Sequence, residues 1–71
     1  MPDAFPSRLR ALREARELSL NALARRAAID PTQLGRYERG VSEPGLSALR
    51  RLADVLGVSL DELGGTPQPP R

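Results

Sequence analysis

The most chemically capable side chains between Asp30 and Gly40 are Thr32, Gln33, Arg36 and Arg39: a hydroxyl, an amide and two guanidiniums. If that stretch is helical, a wheel at ~100° per residue puts Thr32, Arg36 and Arg39 on one side, flanked by Gln33 and Gly35. Such a face suits anions and hydrogen-bonding edges and contains no activated nucleophile. The rest of the chain adds none. Cysteine and histidine are both absent, which removes thiolates, disulfides, the commonest metal ligands and the commonest general base near neutral pH. The remaining carboxylate pair, Asp61-Glu62, reads better as negative charge at a helix start than as an acid–base pair. No metal, no cofactor and no enzymatic activity is expected. The chemistry on offer is binding.

All 11 basic residues are arginine, against nine acids, for a net charge of +2. Between Pro6 and Gly40, eight arginines oppose four acids, while from Val41 to Arg71 three oppose four. A positive N-terminal half suits a polyanionic partner, although a solvated helical surface in an arginine-rich composition accounts for the same charge. Seventy-one residues make one domain with a small core, a size that usually needs a staple or a partner subunit. No apolar run approaches the ~18 residues of a membrane span, and no signal-peptide core follows Met1. A cytoplasmic protein without a membrane partner is expected.

Leu, Ala and Arg dominate, with Phe5 and Tyr37 the only aromatics, which is helix composition. Start and stop signals mark five helices. The first spans about Ser7 to Glu17, capped by either Asp3 or Ser7, with Phe5, Leu9, Leu12 and Ala15 near one face. Ser19 caps the second, whose Leu20, Leu23, Ala24 and Ala27 recur at helical spacing, before a turn through Ala28 and Ile29. The third has Asp30 as cap, Pro31 at its first position, Gln33 completing a capping-box-like pattern and Gly40 as its stop. The fourth follows Pro44-Gly45, carries the apolar stripe Leu46, Leu49, Leu52, Ala53 and Leu56, and stops at Gly57. The fifth is short, with Ser59 and Glu62 forming an S-x-x-E box, Leu60 and Leu63 buried, and Gly64-Gly65 ending it. Residues 1–65 form the domain, and 66–71 read as a disordered Pro-rich tail.

The informative unit is Ser19 to Gly40, two short helices joined by a tight turn. That spacing is the helix-turn-helix arrangement, in which the second helix enters a major groove and the first braces it. On the inner side of the third helix lie Leu34, Tyr37 and Glu38, with Val41 just beyond its end. A carboxylate there wants a cation, because an unpaired buried charge is expensive. Arg13, next to core Leu12, is the best-placed partner; otherwise it is a solvated arginine. Gly35 in mid-helix costs ~1 kcal/mol relative to alanine. It is explained by close approach of another backbone, such as a DNA strand, or is a neutral glycine on a solvent face.

The ordered set Leu9-Arg10-Ala11-Leu12-Arg13, Leu18-Ser19, Leu23-Ala24, Leu34-Gly35-Arg36-Tyr37-Glu38-Arg39-Gly40, Pro44, Leu49, Leu52-Ala53, Leu56-Gly57-Val58-Ser59 and Leu63 resembles the Cro/C1-type (Xre-like) helix-turn-helix family of phage and bacterial repressors. The resemblance implies an all-α, compact, five-helix, lambda-repressor-like DNA-binding domain. It implies base contacts from Pro31, Thr32, Gln33, Gly35 and Arg36, phosphate contacts from Ser19 and Leu20, and an Arg13–Glu38 pair joining the first and third helices. Arg36 suits bidentate contact with guanine, Pro31 apolar contact with a thymine methyl, and Arg39 a phosphate. Three departures stand out: Leu20 replaces a frequent glutamine, Ala28 a frequent turn glycine, and Val41-Ser42-Glu43 a loop that is usually basic.

The function so implied is sequence-specific binding of double-stranded DNA by a transcriptional regulator, most simply a repressor. Reading only a few base pairs per domain argues for a homodimer on an inverted-repeat operator. Val58, Leu60 and Leu63 are more apolar than so short an element needs and offer a dimer surface, unless they complete the monomer core. The competing expectation is the same fold serving as a protein-interaction adaptor or antitoxin component, with a protein partner.

Overall fold

The structure is a computed structural model and describes residues 5–64. The Asp3 cap, the Gly65 stop and the 66–71 tail lie outside these residues. Five α-helices follow in order: α1 (Phe5–Ala15), α2 (Leu20–Ala27), α3 (Pro31–Arg39), α4 (Leu46–Leu56) and α5 (Leu60–Gly64), with no strand among the described residues. Helices this short are marginal alone and persist because each buries an apolar face. α1 packs on α3 and α5, α2 on α3 and α4, and α4 on α5. Six leucines are fully buried, at least one from every helix: Leu9, Leu23, Leu34, Leu52, Leu56 and Leu63. Each contributes roughly 1.5–3 kcal/mol by leaving water. Ala24, Ala27 and Ala53, small and buried, join them in the same core, with Ile29 and Tyr37 closing the cluster.

The helix ends explain the boundaries. Glu17, Ala28, Gly40 and Gly57 each have a positive φ. In each case the following residue donates its N–H to the carbonyl five residues back: Leu18 to Arg13, Ile29 to Ala24, Val41 to Arg36 and Val58 to Ala53. This is the Schellman stop repeated four times. Two of the four use no glycine. The departure at Ala28 therefore keeps the left-handed backbone (φ 57°), at a cost of about 1–2 kcal/mol.

α1 starts and stops two residues earlier than the spacing predicts. Its end is set by Glu17, also at φ 57°, a residue type that gives no stop signal. The Ser59–Glu62 box forms completely, with Glu62 N donating to Ser59 Oγ (3.0 Å) and Ser59 N to Glu62 Oε1 (2.9 Å). Only half of the expected box at α3 forms. Asp30 Oδ2 accepts from the N–H groups of Thr32 and Gln33, but the Gln33 side chain turns along the helix toward Arg36.

Three apolar assignments change. Leu46, placed on the α4 stripe, is 57% exposed because the stripe meets the bundle only one turn later, from Leu49. Val41 is 66% exposed, because the left-handed Gly40 swings the chain off the inner line of α3. Leu63, offered as a dimer residue, is fully buried in the monomer's own core. It has no surface left for a second copy.

Candidate nucleic-acid interface

α3 is fastened from behind. Arg13 Nε donates to Glu38 Oε2 (2.6 Å) and Arg13 Nη2 to Glu38 Oε1 (3.0 Å), a bidentate pair. Arg13 Nη1 donates to the Leu18 carbonyl (2.8 Å), so one guanidinium ties α1, the α1–α2 turn and α3 together. The side chains are only 13% and 7% exposed, and their paired, hydrogen-bonded geometry offsets the cost of burying them. The hydrogen bonds it donates to Glu38 hold the Arg13 guanidinium above its ordinary range, against the opposing effect of burial.

A second arginine fastens the turn itself, and nothing in the sequence patterning singled it out. Arg51 Nε, on α4, donates to the Ala27 carbonyl at the end of α2 (2.8 Å), while its Nη1 donates to Ser47 Oγ (2.7 Å). The last carbonyls of a helix lack intrahelical partners, so a cation here satisfies one and complements the helix dipole. The only available signal was an arginine on α4 one residue before buried Leu52.

The opposite flank of α3 is open. Pro31, Thr32, Arg36 and Arg39 are exposed and Gln33 is half-buried, so no part of the described chain covers the face. Arg36 Nη1 donates to Gln33 Oε1 across one helical turn, at a long 3.4 Å. Gly35 is buried. A Cβ there would lie 3.2 Å from Arg39 Nη1, so the Arg39 side chain lies across the glycine and is its nearest neighbour beyond the helix's own backbone.

Arg39 and Gly35 form one wall of an open notch whose other walls are Leu20, Asn21, Pro31 and Thr32. Asn21 is a polar residue that the sequence reading passed over. At the head of α2, Ser19 Oγ accepts from Ala22 N (3.0 Å), leaving the Leu20 and Asn21 N–H groups of the first turn without an intrahelical acceptor. The head of α3 differs. Pro31 has no N–H, and Asp30 already takes those of Thr32 and Gln33. Of the two helix starts, only that of α2 has backbone donors to spare for an anion.

Val58 and Leu60 remain half-buried against the core, and Glu43 is exposed in the loop after α3.

Comparison with known proteins identifies this geometry. A family model described as helix-turn-helix matches residues 9–63, and the chain belongs to that family, of the Cro/C1 type. The fold is similar to that of the restriction-modification controller protein C.AhdI from Aeromonas hydrophila: 37% identity, 83% of this chain and 89% of that one, TM-score 0.81. It is also similar to the P22 c2 repressor, solved in complex with a synthetic operator (26% identity, 87% of this chain and 94% of that one, TM-score 0.83). A third similar structure is SinR, described as the master regulator for biofilm formation and solved in complex with DNA (28% identity, 83% of this chain and 95% of that one, TM-score 0.80). A search of curated proteins gives no match.

Proposed function

We propose that this chain is a sequence-specific, double-stranded-DNA-binding transcriptional regulator that acts as a repressor, with α3 lying in the major groove. The observation that carries this reading is the uncovered flank of α3. It presents Thr32, Gln33, Arg36 and Arg39 outward while Glu38 is held by Arg13 on the other side. A rigid helix whose polar face is free is what base-edge reading requires. The P22 c2 repressor and SinR, both similar in fold and covered almost end to end, were solved with operator or DNA.

In this reading Arg36 takes a guanine, Thr32 and Gln33 refine the choice, and Pro31 meets a thymine methyl. Gly35 lets the strand approach once Arg39 swings out. Ser19, Leu20 and Arg39 bind phosphate, Leu20 through its backbone N–H. Nothing in this scheme calls for catalysis or a cofactor. No helix among the described residues is long and apolar enough to cross a membrane, and the protein works in the cytoplasm where its DNA lies. A homodimer on an inverted repeat gives the needed specificity, with half-sites about one helical turn apart. Val58 and Leu60 are the dimer residues that retain accessible surface.

A second reading, the fold as an adaptor or antitoxin component, is favoured by the exposed Val41 and Leu46. SinR, at 28% identity, was also solved in a complex with SinI protein, although this chain covers only 58% of that one. Selection of bound sequences from random duplex DNA, with affinity measured against salt, separates the two. DNA binding falls steeply with ionic strength through counterion release, whereas an apolar protein contact barely responds.

A further inference from the structure

Gln33 and Arg36 are already joined in the free protein, Nη1 donating to Oε1 across one helical turn. A guanidinium has no acceptor, so only the amide oxygen of Gln33 can face it. The Gln33 NH2 group is thereby turned away from Arg36 and presented as a donor, while Nε and Nη2 of Arg36 remain donors as well. We propose that Gln33 and Arg36 act as one donor-only reading unit. The half-site it selects is a guanine beside a second base whose major-groove edge carries acceptors and no donor, guanine or thymine, in preference to adenine, whose N7 acceptor sits beside the N6 donor. This deepens the major-groove reading of α3 and rests on it.

A glutamine acting alone favours adenine, accepting from N6 and donating to N7. Here the accepting oxygen lies beside a cation. Adenine at that place still offers N7 to the outward NH2, but its N6 amino group must use the second lone pair of an oxygen already engaged by the guanidinium and lies next to that positive charge, so the two-bond advantage of adenine is weakened. Thymine O4 and guanine O6 or N7 ask only for a donor, which the outward NH2 supplies. Residues three apart share a helix face. Their separation of about 4.5 Å along the axis is close to the ~3.4 Å rise between base pairs, so the two side chains meet neighbouring pairs. The bond is long, and Arg36 is exposed with Gln33 half-buried. The unit therefore tightens on DNA without disturbing the core.

The test is selection from random duplex DNA with the wild type, Gln33→Ala, Arg36→Ala and the double variant, each checked for an unchanged circular dichroism spectrum. The wild type should select guanine beside guanine or thymine. Arg36→Ala should release Oε1 and shift the neighbouring preference toward adenine. On the wild-type site each single variant should bind about 10-fold more weakly. The double variant should bind about 5-fold better than the product of the two losses, since the partners are coupled. Adenine beside guanine in the wild-type site, an unmoved neighbouring preference in Arg36→Ala, or losses that simply multiply would overturn the proposal while leaving the DNA-reading role of α3 standing. A wild type that selects no sequence at all would overturn that role and this proposal with it.

Discussion

Arg13 and Glu38, 25 residues apart, meet through two hydrogen bonds of 2.6 and 3.0 Å, and the third arm of the same guanidinium closes the α1–α2 turn on the Leu18 carbonyl. The pair sets the inner side of α3 and so decides which side faces out. Removing one partner leaves the other nearly buried and unpaired. Glu38→Ala and Arg13→Met should each cost about 3 kcal/mol, lowering the melting temperature by ~12 °C or more for a domain of this size. The double variant Arg13→Met/Glu38→Leu should recover much of that loss, because neither charge is then stranded. A single-variant melting temperature equal to wild type would retire the pairing.

The pair also has a pH signature. The folded-state pKa of Arg13 is raised, with the hydrogen bond to Glu38 as the largest cause. The stability this contributes is fully present below the unfolded-state value and is lost only as pH rises through the folded-state value, both strongly alkaline. Urea midpoints from neutral to mildly alkaline pH should therefore show no loss attributable to Arg13, and the Arg13→Met deficit should stay constant across that window. A deficit that fades as the solution turns mildly alkaline would contradict this.

Two helix stops carry backbone strain, Glu17 and Ala28, each at φ 57°. Both side chains are exposed, so glycine removes the strain without opening a cavity. Glu17→Gly and Ala28→Gly should each stabilise the fold by about 1 kcal/mol, read from urea unfolding, with DNA affinity of Ala28→Gly unchanged. Destabilisation at either site would mean that its backbone is not left-handed.

Arg51 should matter more than an exposed arginine normally does. Arg51→Met keeps the aliphatic stem but leaves the Ala27 carbonyl without its donor, at a cost of about 1–2 kcal/mol. Hydrogen exchange should localise the effect, with the Ala28 and Ile29 amides at the α2–α3 turn losing protection before those of α5. Uniform loss across all helices, or none, would show that the contact does not hold the turn.

Much of the fold that positions α3 was legible in the sequence, for definite reasons. Ser19, Asp30 and the Ser59–Glu62 pair are capping residues whose side chains act within three positions, so spacing alone locates them. Glu38 announced a partner because a carboxylate beside Leu34 and Tyr37 must be neutralised. The misses share the opposite property. The Glu17 stop is written only in backbone geometry, and the contact of Arg51 with Ala27 crosses 24 residues. Gln33 had two uses for one side chain, and Arg36, one turn on, won it from the cap. Leu63 looked surplus because a five-residue helix was weighed alone; in the bundle it fills the space between α1 and α4. Leu46 and Val41 erred the other way, since a periodicity drawn past the edge of the bundle still marks a face with nothing opposite it.

The loop after α3 bears on affinity. Glu43 is exposed in this loop and would repel a nearby phosphate. Glu43→Lys should strengthen binding to both selected and random duplexes and steepen the log–log salt slope by about 0.9 per added phosphate contact. An unchanged slope would place this loop away from the backbone.

The most direct test of α3 as the reading helix is dimethyl sulfate interference on a selected duplex, which methylates guanine N7 in the major groove and adenine N3 in the minor groove. Methylation of one guanine per half-site at N7 should block wild-type binding, and Arg36→Ala should be indifferent to it. Binding that tolerates every N7 methyl group but is blocked by N3 methylation would put the protein in the wrong groove for this account.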